Sequence, residues 1–283
     1  MMKALTLQEV TLGEKEFRQI SDLVYEHCGI NLHEGKKELV RARLAKRLRE
    51  GRFETFAQYI QHVLNDPTGK EFSVLVDSLS TNLTKFFREE QHFEYLRSEL
   101  LPRITSGKAN RRPCRIRAWS AGCSSGEEPY SIAITLLEAV AGLGRWDVKL
   151  LATDVSTRIL ERAREGRYDK ARVEPIPVPL RNRYLSRRRE GTRETYEVGP
   201  ALRDMVVFRY LNLMKEWPIK GPLDFIFCRN VMIYFDKPTQ GRLISRFYDL
   251  LGPGGVLFTG HSESLTGIEH KFRYVQPTIY IKQ

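Results

Sequence analysis

The sequence lacks the features that mark secreted, membrane-spanning and zinc-finger proteins. Its four cysteines, Cys28, Cys114, Cys123 and Cys228, lie far apart and form no CxxC pair, so neither a disulfide framework nor a zinc site is expected. No uncharged run approaches the roughly 18 residues of a membrane span, and the first 17 residues lack the apolar core of a signal peptide. We therefore expect a cytoplasmic protein with reduced cysteines and no bound metal.

What is abundant is positive charge. The 283 residues carry a formal net charge of +11, which favours an acidic or polyanionic partner and keeps nucleic acid in view. Residues 1–80 contain 12 basic and 12 acidic residues, yet residues 36–52 alone contain eight basic and two acidic ones. A basic segment therefore lies inside a neutral region of a chain that is long enough for two domains.

The first part of the chain has the periodicity of several short helices. The apolar residues that recur at helical spacing are Phe17, Ile20, Leu23, Val24, Phe56, Tyr59, Ile60 and Val63. We predict a small all-α domain at residues 1–80, followed by a linker at 81–111.

From residue 112 short apolar strands alternate with amphipathic stretches, which is typical of an α/β domain with a mainly parallel sheet. The predicted strands are 115–119, 148–153, 205–210, 223–228 and 256–259, and the predicted helices between them are 127–140 and 239–251. Residues 170–205, rich in proline and arginine, interrupt the alternation. We interpret them as an inserted antiparallel β-subdomain in a domain that spans 112–283.

The most informative segment is residues 119–130, WSAGCSSGEEPY, which joins a predicted strand to a predicted helix. Ligands of an open parallel sheet bind at the carboxyl ends of its strands, where a glycine loop lets the backbone approach them closely. Glu127 and Glu128 follow the glycines, and the loop has neither the GxGxxG nor the GxxxxGK[ST] spacing of phosphate-binding loops. A cationic cofactor without phosphate fits better, and S-adenosylmethionine, with its ammonium and sulfonium, is such a cofactor.

A second candidate ligand follows the next predicted strand. Asp154 ends the segment LLATD, at the position where such folds bind ribose hydroxyls. The alternative is that Asp154 only caps the helix that begins near Ser156, because aspartate is a common N-cap residue. We take Asp154 as the ribose ligand and keep the capping interpretation as the alternative.

Taken with two further segments, the loop resembles the CheR family of chemotaxis receptor methyltransferases. Those segments are NLTKFFR at 82–88 and FCRNVMIYF at 227–235, and GEEPYSIA at 126–133 and GHSE at 260–263 reinforce the likeness. The resemblance covers about residues 14–281. Because several motifs occur in the same order along the chain as in the family, a chance match does not explain the likeness.

The resemblance implies a fold and a reaction. It implies a class I S-adenosylmethionine-dependent methyltransferase domain of Rossmann-like α/β fold, a small N-terminal all-α domain and the inserted β-subdomain. The reaction is the methylation of glutamates on chemoreceptors to γ-glutamyl methyl esters, with S-adenosylhomocysteine as the second product. The expected partners are the cytoplasmic helical domains of methyl-accepting chemoreceptors, and these would provide the only association with the membrane.

The resemblance also implies which residues hold the cofactor. They are Asn82, Thr84, Arg88, Glu128, Asp154, Asn212, Leu213, Arg229 and Asn230. Structural alternatives stay open for the linker residues. Asn82 or Thr84 could cap a helix, and Arg88 could pair with a neighbouring glutamate.

Arg88 and Tyr234 are the candidates for orienting the acceptor. A free glutamate has a pKa near 4.3 and is already ionised at neutral pH, so methylation of its oxygen requires no general base. The arginine fork matches a carboxylate, and the tyrosine hydroxyl donates without adding a second charge. His261 lies near the expected pocket, where it is either a pocket residue or a buried histidine with satisfied hydrogen bonds.

The basic segment is predicted to be a helix with an apolar stripe of Val40, Leu44 and Leu48. The cations on its other faces are Lys36, Lys37, Arg41, Arg43, Lys46, Arg47 and Arg49. A solvated charged face is the ordinary explanation. Because the methylation sites of the family's receptors are flanked by acidic residues, we expect docking through Arg41, Arg43, Lys46 and Arg47.

Two observations bear on the rival interpretations. Some family members bind a receptor pentapeptide through a glycine-rich loop of the β-subdomain, but residues 184–196 contain a single glycine and an arginine run, Arg187 to Arg189, which puts tethering in doubt. The CRNV motif at 228–231 lacks the NPPY-type signature of base methylation, so no nucleic-acid partner is expected. A nucleic-acid methyltransferase and a non-catalytic S-adenosylmethionine-binding adaptor remain the alternatives.

Overall fold

The computed structural model describes residues 11–80, 82–108, 114–144 and 146–283, apart from the side chains at 190 and 193. The apolar stripes of the first 80 residues lie on four helices. By its internal contacts the chain divides into two units, the first of which comprises residues up to 81 together with 212–214 and 234–236. The helices described in this unit are α1 (Glu14–Cys28), α2 (Lys37–Gly51), α3 (Phe56–Leu64) and α4 (Lys70–Leu79), with a 3-10 turn at Glu34–Lys36.

The helical unit buries the residues that the periodicity selects. The buried side chains include Phe17, Ile20, Val24, Val40, Leu44, Leu48, Phe56, Tyr59, Ile60 and Val63. Gly29 ends α1 at φ +72° and accommodates the Met214 side chain, which a Cβ at that position would meet at 2.6 Å. The backbone N–H of Asn31 donates to the Tyr234 carbonyl at 2.8 Å. The short segments from later in the chain therefore complete the packing of this unit.

The second unit contains two β-sheets. The strands of the larger sheet are β1 (Cys114–Ala121), β2 (Trp146–Asp154), β6 (Val206–Tyr210), β7 (Leu223–Cys228), β8 (Leu251–Thr259), β9 (Arg273–Gln276) and β10 (Ile279–Ile281), and the smaller sheet contains β3 (Arg167–Asp169), β4 (Leu185–Glu190) and β5 (Arg193–Val198). The larger sheet has the strand order β6-β2-β1-β7-β8-β10-β9. Its helices are α5 (Glu90–Tyr95), α6 (Leu101–Lys108), α7 (Glu127–Val140), α8 (Thr157–Glu165), α9 (Lys170–Val173), α10 (Val178–Tyr184), α11 (Pro200–Met205) and α12 (Lys237–Leu250), with a π turn at Leu96–Leu100.

The first five strands of the large sheet are parallel and β10 is antiparallel to both of its neighbours. Ser120 of β1 pairs with Ala152 of β2 and with Phe227 of β7. This register brings the carboxyl ends of the three central strands to one edge of the sheet, so the loops that follow them are neighbours. The glycine loop follows β1, Asp154 ends β2 and Arg229 follows β7. These candidate cofactor ligands are therefore found at that edge.

The small sheet has the antiparallel order β3-β5-β4. Tyr184 of α10, the residue before β4, donates its hydroxyl to Glu138 of α7 at 2.5 Å and so contributes one link to the main fold. The predicted antiparallel subdomain is therefore present. The sequence patterns did not predict β9 and β10, and they placed the start of α12 two residues too late. No described helix is both long enough and apolar enough to cross a membrane.

Candidate active site

The loop after β1 begins with a tight turn at Gly122, where there is no room for a side chain. The backbone N–H groups of Gly122 and Cys123 both donate to the Thr153 carbonyl at 2.8 Å, which joins the loop to the end of β2. Gly122 has φ +84°, and a Cβ there would lie 2.3 Å from Cγ2 of Val231. The close approach of the loops after β1 and β7 therefore depends on the missing side chain.

Asp154 closes the same turn with both of its carboxylate oxygens. Its Oδ2 accepts from the Ser124 backbone N–H at 2.9 Å, and its Oδ1 accepts from that of Ser156 at 3.0 Å. The N-cap of α8 is Ser156, whose hydroxyl accepts from the Ile159 N–H at 3.1 Å. The capping role that sequence offered for Asp154 thus belongs to Ser156, and the half-buried Asp154 carboxylate instead bridges two loops.

The segment at 82–88 lies against the glycine loop. The Ser124 hydroxyl donates to the Asn82 carbonyl at 3.3 Å, and Nη1 of Arg88 donates to the Leu83 carbonyl at 2.7 Å. Residues 82–85 have no regular secondary structure, and α5 begins only at Glu90. Asn82 and Thr84 therefore cap no helix, and Arg88 folds back on its own segment.

A buried ion pair joins the loops after β1 and β7. Nε of Arg229 donates to Oε2 of Glu128 at 2.7 Å, and Oε1 of Glu128 accepts from the Ser120 hydroxyl at 2.7 Å. Nη1 of Arg229 donates to the Arg88 carbonyl at 2.6 Å and to Nδ1 of His92 at 3.1 Å. Three predicted site residues, Arg88, Glu128 and Arg229, are thus one connected network.

His92 is the buried centre of that network. Burial, and then the charges of Arg229 and His261, lower the pKa of His92 to about 3. Its Nε2 faces the Thr278 hydroxyl at 2.8 Å, and that hydroxyl donates to the Pro277 carbonyl at 2.6 Å. The proton of the neutral ring is therefore on Nε2, and Nδ1 is the acceptor.

Asn230 follows Arg229 and is held by a buried carboxylate. Oε2 of Glu263 accepts the backbone N–H groups of Asn230 and Gly260, each at 2.7 Å, and Oε1 accepts that of Ile233 at 3.1 Å. Burial raises the pKa of Glu263 in spite of these bonds. Glu263 therefore fixes the turn that carries Asn230, a role that its position in the GHSE motif did not reveal.

Backbone strain is concentrated at this edge of the sheet. The non-glycine residues Phe87, Glu89, Ser124 and Asn230 have φ between 50° and 60°. Each costs of the order of 1–3 kcal/mol, and such strain typically persists at ligand sites, where the surrounding contacts enforce it. Phe87, Ser124 and Asn230 belong to the segments that carry the predicted cofactor ligands, and Glu89 directly follows one of them.

The inserted subdomain supports the glycine loop from outside. The Tyr168 hydroxyl of β3 donates to the Ser125 carbonyl at 2.7 Å, and Arg172 of α9 pairs with the buried Glu127 carboxylate at 2.9 Å. A Cβ on Gly126 would lie 2.7 Å from the Tyr168 hydroxyl. The subdomain thus fixes the loop that precedes α7.

Asn212, Leu213 and Tyr234 belong to the helical unit. The side-chain amide of Asn212 donates to the His27 carbonyl and accepts from the Met214 N–H at 2.9 Å. Leu213 is buried and Tyr234 is half-buried. Within this unit Asn212 therefore joins residues 212–214 to the end of α1, and the Tyr234 carbonyl joins residues 234–236 to Asn31.

The cations of α2 differ in how far they are committed to intramolecular contacts. Arg47 makes a bidentate pair with Glu71 at 2.7 and 2.6 Å, and Nη1 of Arg43 donates to the Leu79 carbonyl. Arg41 bonds to Glu38 at 2.8 Å, and Lys46 is 77% exposed beside Glu50. Lys46 is therefore the most exposed of the four predicted docking residues.

The carboxylates of the glycine loop decide which ligand fits. Glu127 and Glu128 occupy the first turn of α7, where the helix dipole would otherwise attract a phosphate. Asp154 adds a third carboxylate at the end of the next strand. Arg172 and Arg229 offset part of the charge of Glu127 and Glu128. The three carboxylates together still favour an ammonium or sulfonium over a phosphate, so the donor set fits S-adenosylmethionine.

Comparison with known proteins agrees with this chemistry. The CheR methyltransferase all-alpha domain matches residues 15–80, and the CheR methyltransferase SAM binding domain matches residues 82–281. Chemotaxis protein methyltransferase 2 of Pseudomonas aeruginosa is 45% identical over 276 residues, which cover 96% of this chain and 95% of that protein. The chemotaxis protein methyltransferase of Escherichia coli is 39% identical over 275 residues, which cover 96% and 92%.

These matches extend over almost the whole chain, and they confirm the class I methyltransferase fold and the S-adenosylmethionine cofactor expected from the sequence motifs. Within the described part of the chain all four cysteines are buried. This chain belongs to the CheR methyltransferase family.

Proposed function

We propose that this chain transfers the methyl group of S-adenosylmethionine to glutamate side chains of bacterial chemoreceptors and thereby sets their adaptation. The observation that carries the proposal is the position of the Glu128 and Asp154 carboxylates beside the strained glycine loop. The family membership and the names of the relatives support the same reaction.

In this proposal the chain's residues have distinct tasks toward the cofactor. Asp154 accepts the ribose hydroxyls, and Asn82, Thr84 and Asn230 line the site from the adjoining segments. Arg229 acts indirectly, because its guanidinium is already committed to Glu128 and to the Arg88 carbonyl. Asn212 and Leu213 complete the proposed set.

The acceptor needs orientation more than activation. When bound, S-adenosylmethionine supplies an electrophilic methyl group, and the glutamate oxygen attacks it in line with the departing sulfur. Since charge is neutralised in this step, positioning and exclusion of water contribute more than an oxyanion hole. We assign the positioning of the carboxylate to Arg88 and Tyr234, each with a modest contribution because tight binding of the ground state would slow transfer.

The reaction is tested by incubating the purified chain with methyl-tritiated S-adenosylmethionine and membranes that carry chemoreceptors. Methyl esters release methanol in alkali whereas N-methyl groups persist, so base-labile label is expected. Asp154→Ala should abolish it, and Asp147→Asn, at the opposite end of β2 in a surface pair with Arg117, should leave it intact. Label on nucleic acid would favour the rival methyltransferase, and cofactor binding without any label would favour an adaptor.

The receptor surface is the exposed part of α2. The family's substrates carry acidic residues beside their methylation sites, so the cations of this helix are suited to dock on them. Among Arg41, Arg43, Lys46 and Arg47, the pairing of Arg47 with the largely buried Glu71 makes it a poor test residue, since its reversal would also destabilise the helical unit.

A sharper experiment reverses Arg41 and Lys46 to Glu together and uses Lys15→Glu on α1 as the control for charge. The double reversal should raise the KM for receptor and leave the Kd for S-adenosylmethionine unchanged. Equal receptor KM values for the double variant and the control would contradict docking through α2. This surface would bring the chain to the cytoplasmic face of the membrane only through its receptors.

A further inference from the structure

His92 lies between two groups that make opposite demands on the same ring nitrogen. Nδ1 of His92 is 3.1 Å from Nη1 of Arg229 and 3.4 Å from Oε2 of Glu89. Toward the arginine this nitrogen must be an acceptor, because a guanidinium offers donors alone. Toward the carboxylate it must carry a proton. The tautomer of His92 therefore decides which of the two neighbours the ring binds.

Thr278 sets that tautomer from the opposite side of the ring. Its hydroxyl donates its single proton to the Pro277 carbonyl at 2.6 Å, so its oxygen accepts from Nε2 of His92 at 2.8 Å. His92 is fully buried and Thr278 is 5% exposed, which shields this pair from bulk water. A backbone carbonyl thus selects the ring protonated on Nε2, because the bond made by one imidazole nitrogen fixes the state of the other.

With the ring in this form, three acceptors fix the guanidinium of Arg229. Nη1 donates to Nδ1 of His92 at 3.1 Å and to the Arg88 carbonyl at 2.6 Å, and Nε donates to Oε2 of Glu128 at 2.7 Å. The guanidinium is a rigid planar fork, so it cannot rotate without losing one of these bonds. A ring protonated on Nδ1 would instead turn a donor toward Nη1 and bind Glu89.

We propose that Thr278 and His92 are positioning residues that hold the Arg229 guanidinium in one orientation. That orientation keeps Glu128 and the segment of Arg88 in place for S-adenosylmethionine, so this role rests on the cofactor site proposed above. Thr278 lies in the turn between β9 and β10. A turn that carries none of the predicted ligands therefore contributes to the site through two buried side chains.

The test separates the hydroxyl of Thr278 from its methyl group. Thr278→Val keeps the shape of the side chain and removes the hydroxyl, whereas Thr278→Ser keeps the hydroxyl and loses the buried methyl. Threonine and valine are both β-branched, so the strain at φ +62° is common to the unaltered chain and Thr278→Val. Calorimetry of the purified full chain should show a Kd for S-adenosylmethionine that is at least about fivefold higher in Thr278→Val, the effect of one ordinary hydrogen bond. Thr278→Ser should bind like the unaltered chain.

Nitrogen NMR of the histidine-labelled chain gives a second readout, because it reports which ring nitrogen of His92 carries the proton. The unaltered chain and Thr278→Ser should have the proton on Nε2, and Thr278→Val should show a raised share on Nδ1. A role in packing alone would leave the tautomer unchanged and would make Thr278→Ser the weaker variant.

Thr135→Val is the matched control, since Thr135 is similarly buried and its hydroxyl donates to the Ser131 carbonyl within α7. It should leave the Kd unchanged. Asp154→Ala separates this role from the site on which it rests, because it should lose the cofactor whatever Thr278 does. An unaltered Kd and tautomer in Thr278→Val, with Asp154→Ala unable to bind, would overturn the role of Thr278 alone. Normal binding by Asp154→Ala would overturn the proposed site and this role with it.

Discussion

Nε of Arg229 donates to Oε2 of Glu128 at 2.7 Å, although the two residues are 101 positions apart in the chain. Arg229 follows β7 and Glu128 lies in the first turn of α7, so this buried pair joins two loops at the carboxyl edge of the sheet. The guanidinium also lies near the faces of Phe93 and Phe227, at 5.6 and 5.3 Å from their ring centroids.

Removing the Arg229 charge should therefore be costly. Arg229→Met leaves Glu128 buried without its cation, and a broken buried pair typically costs about 3–5 kcal/mol. Urea unfolding of the full chain measures this loss. Arg97→Ala, which removes an exposed pair with Glu94 on the surface, should cost less than about 1 kcal/mol, and an equal effect of the two variants would contradict the burial argument.

Gly122 allows a comparison of steric clash with backbone strain. Gly122→Ala places a Cβ 2.3 Å from Val231, whereas Gly142→Ala at φ +77° meets nothing within 4 Å. Positive φ alone costs about 1–2 kcal/mol, so Gly142→Ala should lose that amount and keep its affinity for S-adenosylmethionine. Gly122→Ala should lose more stability and bind the cofactor at least tenfold more weakly by calorimetry.

If the clash is the cause, adding Val231→Ala to Gly122→Ala should recover part of the lost stability. No recovery in the double variant would assign the whole effect to φ. A Gly122→Ala chain with unchanged cofactor affinity would instead remove the loop from the binding site.

Two glutamates of α7 should affect stability with opposite dependence on pH. Burial raises the pKa of Glu127 above 4.5, with the Ser125 hydroxyl opposing it, and the bond from Tyr184 lowers the pKa of Glu138 below 4.5. The Glu127 contribution is fully present below pH 4.5 and is lost as pH rises through its raised pKa. The Glu138 contribution is present above pH 4.5 and is lost as pH falls through its lowered pKa.

Denaturant unfolding of Glu127→Gln and Glu138→Gln across pH 3–8 checks this. The difference in unfolding free energy between the unaltered chain and the variant should decrease with pH for Glu127→Gln and increase for Glu138→Gln. The same slope in both variants would mean that burial does not control the Glu127 carboxyl.

Sequence patterns predicted the elements that are stabilised by residues close together in the chain. The helix at 127–140 was predicted with the bounds that the structure has, because Gly126, Pro129 and an apolar run mark its beginning and its body. β10 has only three residues, too few for an alternation to be recognised. Its pairing with β8 is a non-local contact that periodicity does not encode.

The candidate site was predictable where a motif carried it and hidden where only folding brought residues together. The sequence indicated Asp154 and the glycine loop, but it could not show that Glu128 pairs with Arg229, because the two residues are 101 positions apart in the chain. Nor could it show that Arg47 of the basic helix is paired with Glu71. Charge and spacing give the type of side chain, and the pairing of side chains follows from the fold.

The completion of the helical unit by residues 212–214 and 234–236 limits how this protein can be divided in evolution and in the laboratory. A chimaera that exchanges only the first 81 residues with a relative would separate Gly29 from its own Met214 and Asn31 from its own Tyr234. An exchange that keeps these contacts must transfer all three stretches of the unit together, and a single crossover cannot do this.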